Sequence, residues 1–174
     1  MGKIKEGVLV KRFCGIIYAD EDTVFSVKEN LITEFGNIDI EAGPFIFDFT
    51  DYYAKEMGEN LKRRFFSFEQ PVSPDNCYKW KYFSNEIENR YISSSGGRKV
   101  NIDPGYLNLS RITLLSTKDY YHRVYLQNGI YAELTLFYQG NDFKVFLWTY
   151  PDYRSENYID FFRKVRLKFS QQLK

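Results

Sequence analysis

Hydrophobic positions along this chain fall into alternating and helical runs, and their order predicts an α+β fold. Residues 8–19, VLVKRFCGIIYA, are rich in β-branched and aromatic side chains, as a first strand requires. Asp20 then stands where a helix cap belongs, and Val24, Val27, Leu31 and Phe35 recur at spacings of three and four before Gly36. Residues 38–49 end in the alternation Phe45, Phe47, Phe49 and predict a second strand; residues 63–70 predict a third, beyond a polar loop. Ser73-Pro74 reads as the opening of a second helix, with Ser as cap and Pro at its first position. Its stripe is Cys77, Trp80, Phe83, Ile87 and Tyr91, and Gly96-Gly97 end it. Residues 99–103 predict a fourth strand, and Asp103-Pro104-Gly105-Tyr106 reads as a turn.

The resulting order over residues 1–103 is β-α-β-β-α-β, the pattern of a ferredoxin-like core. Residues 104–174 read as an extension of the same single domain. Residues 109–115 fit either a short helix or a strand. An antiparallel meander follows over 121–127, 130–138 and 143–148, then a terminal helix from Ser155 carrying Ile159, Phe162, Val165 and Phe169.

The strongest local signal is Asn128-Gly129 between two alternating runs, which predicts a two-residue hairpin turn because both central residues take positive φ. Without a bulge, Gln127 faces Ile130 and His122 faces Thr135. One face then carries His122, Val124, Leu126, Tyr131, Glu133 and Thr135, and the other carries Arg123, Tyr125, Ala132, Leu134 and Leu136. The second face is the more apolar and is expected to cover the core. The first sets Glu133 one diagonal step from His122, the only histidine in the chain. A carboxylate beside an imidazole fixes its tautomer, so His122 and Glu133 are the candidate catalytic couple for proton transfer. A plain cross-strand contact accounts for the same residues, and a one-residue slip would exchange the faces.

Around that couple the chain places polar-aromatic clusters. Lys118-Asp119-Tyr120-Tyr121 precedes His122 and Arg123; Asp51-Tyr52-Tyr53 follows the second strand; Tyr131 accompanies Glu133; Tyr150 accompanies Asp152. Candidate ligand-binding residues are Lys118, Arg123, Arg63, Arg64, Tyr53, Tyr131, Tyr150, Asp51 and Asp119. The cations serve as donors to a phosphate or carboxylate and the rings as stacking walls. Solvated salt bridges across a loop explain the charges equally well.

Composition narrows the field. The 174 residues carry 24 basic and 23 acidic side chains, a net charge of +1, so no broad field gathers nucleic acid or an anionic membrane. Tyr and Phe number 15 and 16, an aromatic content of 19% that suits groove walls as well as cores. Cys14 and Cys77, with no CxxC spacing, read as buried reduced thiols, in a strand and a helix, and point to the cytoplasm. The N-terminal apolar run is too short to span a membrane. No phosphate loop, nicotinamide or flavin fingerprint, GxSxG or HExxH occurs, and one histidine without a cysteine cluster leaves no zinc signature. No metal is expected from any spacing.

The run FDFTDYYxxEMG, then DPGY, STKDYYHRVYLxxGIYAELTL and WTYPDYRSE, resembles a prokaryotic family catalogued as domain of unknown function 4416. The resemblance extends from Lys11 into the last helix. It implies a fold unit and a prokaryotic cytoplasmic origin, and it carries over no catalytic residue. Two functional classes are then open. One is a site for a phosphate- or carboxylate-bearing small molecule such as a nucleotide, with acid–base or hydrolytic chemistry if it is an enzyme. The other is a non-enzymatic Tyr/Arg-rich module that docks a protein or RNA. Convergence of the clusters on a concave cleft favours the first; a flat patch favours the second.

Overall fold

The computed structural model describes residues 2–3, 7–94 and 96–174. The chain runs β1 (Lys11–Tyr18), α1 (Glu21–Phe35), β2 (Ile38–Ile46), a 3-10 turn (Asp51–Tyr53) leading into the short α2 (Ala54–Met57), β3 (Lys62–Phe68), α3 (Tyr78–Arg90) and β4 (Val100–Leu107). It continues through β5 (Arg111–Ser116), β6 (Arg123–Gln127), β7 (Ile130–Gln139), β8 (Asp142–Val145), a second 3-10 turn (Asp152–Arg154) and α4 (Glu156–Gln172). The α+β class is as expected.

Local chemistry explains most boundaries. The Asp20 carboxylate accepts from the N–H groups of Asp22 and Thr23, capping α1, and Gly36 ends it at φ +89°. Ser73-Pro74 does not open α3. The Ser73 hydroxyl accepts from Asp75 N–H and Asn76 takes φ +59°, so this segment is a turn and the helix begins at Tyr78. Cys77 thus lies immediately before α3 rather than in it, buried and free like Cys14 in β1.

The sheet corrects three expectations. All eight strands form one antiparallel sheet in the order β2-β3-β1-β4-β5-β7-β6, with β8 also paired to β7. That order as a whole is not ferredoxin-like. Nor are the last strands a simple meander, because β6 and β8 both pair the edge of β7 that β5 leaves free. The expected Asp103–Tyr106 turn is instead strand: β4 runs through it to Leu107, with Pro104 opposite Cys14 of β1. Strand β5 pairs only Gly105–Leu107, so at Pro104 β4 has a strand partner on one side alone, where a missing N–H is tolerated.

Two hydrophobic layers sandwich the sheet. Cys14, Ile16, Tyr18, Phe66, Phe68 and Ile102 pack under Val24, Val27, Leu31 and Phe35 of α1 and Ile87 of α3. On the opposite face Phe13, Phe65, Ile112, Leu136 and Phe143 meet Tyr158, Ile159, Phe162, Val165 and Phe169 of α4. Alternation along β1 and β3 sorts their residues between the layers. A methyl group at Gly15 would lie 2.7 Å from Arg63 Nη1 and 2.9 Å from the Phe65 ring, so glycine there lets Arg63 cross the sheet surface.

A cleft where two strands part

Below Gly105, β4 and β5 diverge, and the wedge between them becomes a cleft. The polar groups of Ile102 that a neighbouring strand would bind are taken by α3: Lys81 Nζ donates to Ile102 O at 2.9 Å, and Ile102 N–H donates to Glu88 Oε1 at 2.7 Å. Lys81, Ser84 and Glu88 are all buried, a polar stripe at spacings of three and four on a helix. The apolar count along that helix passes over it.

One end of the cleft is a cavity of about 470 Å³ walled by aromatic rings, Phe47, Phe49, Tyr53 and Tyr153 among them. The other is a polar cavity of about 390 Å³ floored by Lys81, Glu88, Arg98 and Asn101. The two share Tyr52, Tyr53, Asp103, Lys118, Arg123 and Tyr150 as walls. The combined volume suits a small ligand with a ring and a polar group.

Arg63, only 3% exposed, anchors the aromatic end: Nη1 donates to Asp103 Oδ2 at 2.9 Å and Nη2 to Asp152 Oδ2 at 3.0 Å. Burial works against the guanidinium, but the carboxylates and the Tyr153 phenol beside it hold it protonated. Burial works against ionised Asp103 too, yet Arg63 and Lys81 keep its carboxyl below the usual range. Asp152 goes the other way, pushed up by burial with Arg63 opposing and the Asp103 charge adding to the rise. From Asp103 the hydrogen bonds continue through Asn101 to Arg98, which grips both Glu56 oxygens at 2.6 and 2.8 Å and Glu88 at 2.8 Å.

The second anchor is Arg123. Its Nε donates to Glu133 Oε2 at 2.8 Å, Nη1 to Lys118 O at 2.9 Å and Nη2 to Tyr150 Oη at 2.6 Å. Burial raises the Tyr150 phenol, and the Glu133 charge adds to it. Lys118 Nζ binds Tyr52 Oη at 2.7 Å and lies 4.5 Å from that ring's centre. Among the described residues it is the cleft cation with no carboxylate in ion-pair range.

The Asn128-Gly129 turn forms as expected, with φ of +52° and +77°, and Gln127 faces Ile130. His122 does not face Thr135. Leu126 is an extra residue, so Tyr125 pairs Tyr131 and Arg123 pairs Glu133. A second bulge makes Thr135 extra against β5, where Ile112 faces Leu136 and Thr113 faces Leu134. The bulges overturn the expected face assignment: Glu133 turns inward at 1% exposed, Leu134 outward at 41%, and Arg123 joins Glu133. The His122–Glu133 contact forms nonetheless, Nε2 to Oε2 at 3.1 Å. The imidazole lies behind the carboxylate, stacked on Trp148 at 5.4 Å, and is not part of the cleft wall.

Of the residues expected at a site, Arg63, Tyr53, Lys118, Arg123, Glu133 and Tyr150 converge on the cleft. Arg64 does not, because alternation in β3 sends it to the other face, where it binds Tyr18 Oη, Glu41 and Glu21. Tyr131 packs on Tyr125 instead. Asp51 and Asp119 are exposed and outside the walls. Asp103, Asp152, Arg98 and Glu88 are cleft residues that sequence reasoning left out of the site.

Compared with known families, the model of a domain of unknown function (DUF4416) matches residues 8–169, and the chain belongs to that family. Neither the curated proteins nor the solved structures contain a match.

Proposed function

We propose that this DUF4416 protein binds a small molecule carrying a ring and a phosphate or carboxylate, of which a nucleotide is the fitting example. The observation that carries the reading is convergence. Residues 52–53, Lys118, Arg123, Glu133 and 150–153, distant in sequence, share one cleft with tyrosine walls. Lys118 stands in it with no carboxylate in ion-pair range among the described residues, and Arg123 adds an oriented guanidinium held by Glu133. If the site moves a proton, Glu133 is the group we assign to it, with His122 on its Oε2. Strands β1–β4 with α1 and α3 fit the ferredoxin-like unit expected over residues 1–103, since β2-β3-β1-β4 are neighbours and the two helices are connections between them. The free buried cysteines fit a reducing cytoplasm.

Calorimetric titration of adenosine and guanosine monophosphates and of inorganic phosphate tests the reading. Wild-type protein is expected to bind a nucleotide, and Lys118→Ala to bind it about tenfold more weakly, the loss of one charge-assisted hydrogen bond. No binding at millimolar concentration, or equal affinity in the variant, rejects it.

The interaction-module reading has one observation of its own. Tyr121, Val124, Tyr125 and Leu147 are 78%, 68%, 58% and 94% exposed around β6 and the segment after β8.

A further inference from the structure

We infer that the ligand of this cleft carries an N–H or O–H donor on its ring, read by Glu133, in addition to the anion met by Lys118. The inference rests on the ligand-binding reading above and adds to it the chemistry of the ligand's inner end. Glu133 is 1% exposed and lines the aromatic cavity. Its Oε2 is saturated by Arg123 Nε at 2.8 Å and His122 Nε2 at 3.1 Å. Its Oε1 is buried and has no donor among the described residues. A carboxylate oxygen removed from water and left without a donor is costly, and native interiors satisfy such atoms. The Arg123 and His122 contacts occupy one oxygen and leave the other, on a residue that lines the cavity, without a donor.

The rest of that end is also rich in acceptors. Asp103 and Asp152 both accept from the Arg63 guanidinium, and Asp103 accepts from Asn101 as well. Lys118, by contrast, is exposed at the mouth. A ligand that is donor-bearing at its inner end and anionic at its outer end, with a flat ring between the tyrosine walls, complements both ends at once. A ring without a donor would leave Glu133 Oε1 unpaired in the complex, and a site built to receive a hydrogen bond rejects the analogue that lacks it.

Phenyl phosphate and the 3- and 4-aminophenyl phosphates isolate this feature, since they differ only in an aromatic amine. Calorimetry on the wild-type protein is expected to show an aminophenyl phosphate binding about tenfold or more tightly than phenyl phosphate. In Glu133→Gln the amide turns an N–H toward the ligand, and the preference is expected to vanish. The Glu133 carboxyl carbon, followed by NMR in wild-type protein, is expected to move with the amine-bearing ligand and not with phenyl phosphate; this reading does not depend on the variant's folding. Lys118→Ala is expected to weaken all three ligands alike and keep the preference. Equal binding of the three phosphates, weakened by Lys118→Ala, would overturn the donor inference and leave the anion site standing. Absence of binding by all three would overturn both.

Discussion

Tyr158 shows how a single buried side chain ties the cleft to the core. It is 1% exposed, packs on Phe65 at 4.6 Å and lies in the field of Arg63. Burial lifts its phenol to about 12 against Arg63's opposing charge. In the unfolded chain a tyrosine ionises near pH 10. The folded pKa is therefore raised, so this contribution to stability is complete below pH 10 and is lost as pH rises through about 12. The full loss from this one group is about 2–3 kcal/mol. Urea unfolding at pH 8, 10 and 11.5 should show wild-type stability falling more steeply with pH than that of Tyr158→Phe. Parallel curves for the two proteins would show that this phenol is not a source of the alkaline loss.

At the level of elements, the hairpin shows how one inserted residue decides which side chains meet. The Asn128-Gly129 turn is specified by local chemistry and forms, but Leu126 lies outside the pairing. That bulge brings Arg123 opposite Glu133, and the bulge at Thr135 lets Glu133 and Leu136 both turn inward. Deleting Leu126 removes only the extra residue, and the pairing of Tyr125 with Tyr131 and of Arg123 with Glu133 should survive it. Replacing Arg123 by alanine should instead leave the buried carboxylate with only His122. A loss of about 3 kcal/mol in unfolding free energy is expected for Arg123→Ala, the cost of breaking a buried ion pair on one side. NMR should still find the Gln127–Ile130 pairing in both variants. An unchanged stability of Arg123→Ala would mean that the Arg123–Glu133 contact does not hold the buried carboxylate.

Across the whole molecule, one sheet covered on both faces makes the N-terminal strand the most protected element. Strand β1 pairs β3 on one side and β4 on the other, and Cys14 is 0% exposed between the helical layer and its neighbours. Burial also pushes its thiol far above the ordinary value, so little thiolate exists to react. Cys77, 7% exposed ahead of α3, has a less enclosed thiol that burial also raises. Labelling by a water-soluble disulfide reagent should be slower at Cys14 than at Cys77, and at Cys14 it should follow global unfolding measured in denaturant. Fast reaction of Cys14 under native conditions would contradict the packing of β1.

What the sequence determines by itself is the local grammar. The Asp20 cap, the stop at Gly36, the Asn128-Gly129 turn and the stripe of the last helix depend on side chains a few residues apart, and each forms where its residues stand. The clusters around Tyr53, Lys118, Glu133 and Tyr150 are also visible as composition. Their meeting is a product of long-range pairing, which short-range patterns do not encode. Asp103-Pro104-Gly105 reads as a turn until β1 supplies a partner for that backbone, and Asp103 then points to Arg63. Lys81 and Glu88 stand outside the apolar stripe of their helix, and they become part of the site only because the parting of β4 from β5 leaves Ile102 for them to satisfy. The faces of β6 and β7 follow from two bulges, each a compromise between pairing and burial that has no local signature. Tertiary structure decides these because a buried polar group or an unpaired strand edge becomes costly only when the rest of the chain has removed the water.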